Sequence, residues 1–217
     1  RHEEAVSVPR DGNEDIAVLR ERVFQQPGNF WAQFALGRAL FYSGEFDDAR
    51  VAFQLAGALA PMATGFDSPN GFLARIAQEE GDREAAKNHL ESLLEYDETS
   101  LDAVRLLAAL AEETADRERM RHAYERHNEI DPFDPIPHQA LGRLAMADGL
   151  FAEAIEELEV ALALGPVDRV SAYSDFAESL LGIGDLDGAK RQAIAALEIA
   201  PTYERAQDLL LKAVETK

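Results

Sequence analysis

Apolar and small residues recur along this chain in blocks of near-constant length. The clearest block runs from Pro135 to Pro166, with Leu141, Gly142, Gly149, Phe151, Ala154, Leu158, Ala161 and Pro166 at block positions 7, 8, 15, 17, 20, 24, 27 and 32. Bulky residues at 7, 17 and 24 alternate with small ones at 8, 20 and 27, which suits two antiparallel helices in close contact. Glycine turns the chain between them and proline stops the second helix. The same frame fits Phe30–Pro61 through Leu36, Gly37, Gly44, Phe46, Ala49, Phe53 and Ala56. It fits Val170–Pro201 through Tyr173, Phe176, Ala177, Leu180, Gly184, Leu186, Ala189, Ala193 and Ala196.

Two blocks are less regular. One starts at Asp67 with Leu73, Ala74, Ala77, Gly81, Ala86, Leu90 and Leu93, and carries Glu98 in place of the proline. The other starts at Leu101 with Leu107, Ala108, Ala111, Tyr124 and Pro132. There Ala115 stands at the glycine turn and Met120 at a small-residue position, so loose packing is expected in that pair. Pro27, Pro61, Pro132 and Pro166 lie 34, 71 and 34 residues apart, and Pro201 follows 35 residues later. A period near 34 predicts stacked helical pairs, none able to bury its apolar face alone.

The flanks fit a capped array. Glu14–Gln26 is amphipathic, with Ile16, Leu19 and Val23 on one face, and Glu204–Glu215 carries Leu210, Leu211 and Val214 toward the last pair. Arg1–Asn13 lacks periodicity and reads as a linker or frayed arm. About three extra residues fall in Pro61–Asn70, which holds Thr64-Gly65-Phe66 and Ser68-Pro69-Asn70; a tolerated insertion at a junction is the expectation.

Glycine, alanine and proline recurring in register over Phe30–Pro201 resemble the tetratricopeptide repeat. The resemblance implies an all-α, right-handed superhelical solenoid of about five helix-turn-helix pairs, at 30–63, 67–100, 101–134, 135–168 and 170–203. Capping helices at 14–26 and 204–215 would complete a single domain over 14–217, after the arm at 1–13. It also implies that the first helix of each pair lines a concave groove through positions 2, 5, 9, 12 and 13. Those positions in the first block are Trp31, Phe34, Arg38, Phe41 and Tyr42. Arg75 and Arg143 take position 9 of their blocks, and Arg105 and Gln139 take position 5.

Such a groove is expected to seat a protein or peptide segment whose carboxylates meet the arginines and whose apolar side chains meet the aromatic end. Internal pairing of the arginines with Glu79, Glu112, Glu113 and Glu178 is the equal alternative. Trp31 and Phe34 have a second reading too, as residues covered by the N-terminal helix or a neighbouring domain. The dicarboxylate clamp of heat-shock cochaperones needs lysine and asparagine at the first two places, where this chain has Phe34 and Arg38, so that function is not implied.

Composition narrows the partners. Of 217 residues 47% are hydrophobic, enough to bury a continuous core, and no uncharged apolar run of membrane-spanning length exists. A formal charge of −20 repels nucleic-acid backbones and anionic lipid, so neither is an expected partner. Zero cysteines exclude disulfides and thiolate sites without fixing a compartment, cytoplasm and periplasm both being compatible. The chain starts at Arg1 without methionine or leader, as expected of a segment excised from a longer protein. Its repeats resemble modules appended to bacterial enzymes and secretion machinery, including repeats that follow a metallopeptidase-like domain. A structural appendage that docks in cis or self-associates through the first-block aromatics is therefore the alternative to a binding scaffold.

Candidate chemistry is sparse. His122 and His127, five residues apart, point about 140° apart around a helix and cannot chelate a metal together. His2, His89 and His138 are scattered, and His138 sits at a packing position. No zinc-protease, nucleophile-elbow or phosphate-loop motif occurs, and Gly182-Ile183-Gly184 is explained as a repeat turn. Glu156, Glu157 and Glu159 are expected on a solvated outer face. No cofactor, metal or enzymatic activity is expected.

Overall fold

A computed structural model describes residues 15–215. The arm at 1–13, with His2, and Glu14 of the expected N-terminal helix lie outside them. The described residues form twelve α-helices and no strand. After α1 (Ile16–Gln25) come α2 (Phe30–Ser43), α3 (Phe46–Leu59), α4 (Pro69–Glu79), α5 (Arg83–Leu94), α6 (Leu101–Glu113) and α7 (Arg117–Ile130). The rest are α8 (Pro135–Ala147), α9 (Phe151–Leu164), α10 (Arg169–Gly182), α11 (Leu186–Ile199) and α12 (Glu204–Glu215). They fall into two compact units, divided between Leu110 and Ala111 inside α6.

Local chemistry sets the helix ends. Pro27, Pro61, Pro132, Pro166 and Pro201 each stand two residues beyond the last residue of a helix, where a missing N–H and a fixed φ end the hydrogen-bonding ladder. At block position 15 the backbone is left-handed: Gly44, Gly81, Gly149 and Gly184 have φ between 75° and 82°. Ala115 takes the same turn at φ 53°, the sole positive-φ residue other than glycine among those described. The next residue then caps the second helix in three cases. Asp82, Asp116 and Asp185 accept hydrogen bonds from the backbone N–H of Ala85, Arg119 and Gly188.

The small-residue positions do what close helix packing demands. A Cβ on Gly37 would lie 2.9 Å from the Phe53 ring, and one on Gly142 would lie 2.7 Å from Leu158 Cγ. Both partners are fully buried, so neither can move aside.

The unit up to Leu110 has an aromatic core. Phe53 of α3 and Phe72 of α4 stack at 4.6 Å, and Phe34 and Phe41 of α2 meet Phe72 edge-on at 5.8 and 5.3 Å. Leu19 of α1 closes one side, with Ile16 and Val23 packed against the same cluster. The unit from Ala111 instead packs leucine against alanine, with Leu158, Ala154, Ala177, Ala189, Ala193 and Leu209 all buried. Such small side chains let α8–α12 lie close together.

The extra residues after Pro61 are pinned down. Asp97 accepts from the Gly65 N–H at 2.9 Å, and Arg75 donates to the Phe66 carbonyl at 2.8 Å. Ser68 caps α4, and Gly71 leaves room for the Phe66 carbonyl, which a Cβ would meet at 2.0 Å. The connection is an ordered, packed turn.

Candidate functional site

The first-block aromatics separate into two roles. Trp31 and Tyr42 stand at opposite ends of α2 with 60% and 58% of their surface exposed. Phe34 and Phe41 turn inward and pack on the aromatic core instead of facing solvent as groove residues. The physical reason is the bulk of Phe72 on α4, which gives both rings an edge-to-face partner. Trp31 stays outside, touching Phe30 at 5.0 Å and Phe34 at 6.5 Å.

The four arginines differ as well. Arg38 projects from α2 with its guanidinium 6.0 Å from the Tyr42 ring. Its Nε is buried without a hydrogen-bond partner, and among the described residues no carboxylate pairs with it. Arg75 sits over the Phe66 and Phe72 rings at 4.4 and 4.7 Å and binds Asp67 at 2.8 Å, so it clamps the connection after Pro61. Arg105 lies exposed on α6 and does have an interaction partner. Arg143 of α8 donates to Asp175 and to Ser171 of α10, both at 2.7 Å.

Asp175 is shared. Its carboxylate, 3% exposed, also accepts from Arg205 of α12 at 2.6 Å, and Arg205 reaches Glu178 at 2.7 Å. Burial alone would lower the Arg205 pKa, but the bonds to Glu178 and Asp175 outweigh it and push it up. Internal pairing thus holds for Arg75 and Arg143, although with Asp67 and Asp175 and not with the four glutamates first expected. Of those, Glu178 pairs with Arg205, and Glu112 accepts from the Tyr124 hydroxyl at 2.5 Å. Burial, that bond and the Glu112 charge all raise the Tyr124 pKa.

Gln139 lies on α8 beside Arg143, and its amide nitrogen is buried with no partner. Both line a cavity of ≈ 470 Å³ with Tyr124, Met120, Ile136 and Leu144. Sequence reading singled out Gln139 and Arg143 by repeat position but missed the cavity itself. The available signal was the pair of departures at Ala115 and Met120, both of which line it.

The histidines serve the fold. His138 is buried between Glu157, at 2.7 Å, and the Pro132 carbonyl, at 3.4 Å. Glu157 is therefore partly withdrawn from the solvated face on which Glu156 and Glu159 remain. His122 is exposed and His127 buried on α7, with His127 3.1 Å from Asp134. Burial and the Arg50 charge lower the His89 pKa against the opposing pull of Asp82. Among the described residues no group of three or more histidines and carboxylates converges as metal ligands. No described helix is long and apolar enough to cross a membrane.

Residues 70–100 match the tetratricopeptide repeat model. No curated protein matches the sequence. Among solved structures, YrrB, described as a tetratricopeptide-repeat protein with an unusual peptide-binding site, superposes with a TM-score of 0.64 at 13% identity. That match covers 89% of this chain and 98% of YrrB. MamA gives 0.55 at 18% identity, over 87% of this chain and 95% of its own. The C-terminal part of a repeat-containing protein from Cytophaga hutchinsonii gives 0.56 at 18% identity, over 92% of this chain and 79% of its own. The fold is an all-α helical repeat, and the tetratricopeptide assignment made from the block pattern is supported by both comparisons. One block of the chain, residues 70–100, thus matches the tetratricopeptide repeat, and the solved structures named above share its all-α repeat fold.

Proposed function

We propose that this chain is a non-catalytic scaffold that binds an acidic peptide segment, with α2 as the anchoring element. One observation carries the reading. Arg38 lacks a carboxylate partner in a chain with 41 acidic and 21 basic side chains, and it stands between exposed Trp31 and Tyr42. Acidic side chains so outnumber basic ones that an arginine left unpaired invites an outside carboxylate, and the flanking rings offer apolar area at low entropic cost. Trp31, Arg38 and Tyr42 carry the contact; Phe34 and Phe41 support it from beneath.

A random-peptide library panned against the full chain tests this. Selected peptides are expected to be rich in Asp and Glu or to use a free C-terminal carboxylate, and Arg38→Glu should weaken them about tenfold or more. Selected peptides without acidic enrichment that bind Arg38→Glu equally well would overturn it.

The same exposed rings favour a second reading, self-association through α2. Sedimentation of the wild type and of Trp31→Ala separates the two. A concentration-dependent dimer lost in the variant supports self-association, whereas a monomer at all concentrations excludes it.

A further inference from the structure

We infer that the cavity bordered by α7, α8 and the end of α6 is a separate binding site, one that takes an uncharged apolar side chain of a peptide together with a neighbouring backbone carbonyl. This rests on the scaffold reading above and assigns a different chemistry to a different place.

The cavity's size and lining define the ligand class. At ≈ 470 Å³ it falls within the ~300–1,000 Å³ usual for ligand pockets, and Met120, Ile136, Leu144, Ala140 and Ala147 make its wall mostly apolar. A leucine, methionine or phenylalanine side chain fits such a wall.

The charges in the lining are already answered. Arg143 is held by Asp175 and Ser171, Arg117 by Asp148 at 2.6 Å, and Glu112 by the Tyr124 hydroxyl. A charged ligand would have to break one of these pairs. What remains unanswered is the Gln139 amide nitrogen, a buried donor without an acceptor. An unmet buried donor costs free energy until an acceptor arrives, and a peptide carbonyl is the acceptor every extended segment carries. The ligand is therefore neutral at this point, and its binding is insensitive to salt.

The cavity also coincides with the break in the repeat. In α6–α7 the turn glycine is replaced by Ala115 and a small packing residue by Met120, and both side chains border the opening. Methionine is unbranched and adaptable, and at a pocket wall it can reshape around an entering side chain.

The test needs no identified peptide. The isotope-labelled full chain is titrated with N-acetyl-leucinamide, N-acetyl-methioninamide, N-acetyl-aspartamide and N-acetyl-lysinamide while the Gln139 side-chain amide and Met120 methyl resonances are followed. Gln139→Met assigns the amide signal and removes the donor at similar size. Saturable shifts of both resonances by the leucine and methionine probes are expected, unchanged in high salt. The variant should bind roughly fivefold more weakly, the equivalent of one hydrogen bond. Absence of saturable shifts in the wild type, or preference for a charged probe, would overturn the inference. Its failure is distinct from that of the scaffold reading. Library peptides that depend on Arg38 while the leucine and methionine probes leave the Gln139 signal unmoved sink only this site, and probes that bind when no library peptide does sink only the scaffold.

Discussion

The two units solve the same packing problem with different materials. Up to Leu110 the core is a cluster of phenylalanines around Phe72, and the arginine of α2 is left without a carboxylate. From Ala111 the helices close on alanine and leucine, and the arginine of α8 is locked to Asp175. Position 9 of the block thus holds an arginine without a carboxylate partner on α2, and arginines tied to a carboxylate on α4 and α8. A residue's place in the repeat fixes where it points, while its role depends on what the next repeat offers it.

Four substitutions probe this contrast, from the largest loss to a gain. Phe72→Ala removes the ring on which Phe34, Phe41 and Phe53 converge, and by analogy with other buried aromatic truncations it should cost about 4 kcal/mol in chemical denaturation followed by circular dichroism. A loss under about 1 kcal/mol would mean that the aromatic cluster is not the core of its unit.

Asp175→Ala comes next. Two guanidiniums lose their shared buried carboxylate, but both are partly exposed and can rehydrate, so about 2–3 kcal/mol is expected. Arg38→Ala should change stability by less than about 0.5 kcal/mol. Equal costs for the two would erase the distinction between the tied and the unpaired arginine. The last effect is a gain. Ala115→Gly relieves a left-handed φ and should add about 1 kcal/mol at the turn, offset in part by the greater freedom of glycine when unfolded. A destabilised variant would show that the Ala115 methyl has a packing role.

Much of the fold was legible because the repeat writes it locally. Prolines two residues past five helix ends, glycines at the turn and small residues at the crossing each act within a few residues of themselves. The site was less legible because its contacts reach into the following repeat. Arg143 finds Asp175 32 residues on, and Phe34 finds Phe72 38 residues on, distances at which a helix-face argument says where a side chain starts and not what it meets.

A rule for such contacts is nonetheless present in the block frame. Arg50 and Arg121 both occupy position 21, and their partners Glu80 and Asp148 both occupy position 14 of the following block. In the next pair of blocks the same two positions hold Ile155 and Ile183. Between the second and third blocks they hold Lys87 and Thr114, so this ion pair forms only where the sequence supplies a charge at both positions.

Trp31 is the chain's single tryptophan and lies at the water boundary of α2. Its indole emission is thus an intrinsic optical gauge of whatever lands on that helix: light of longer wavelength while the ring is wet, shifting toward the blue as a partner covers it.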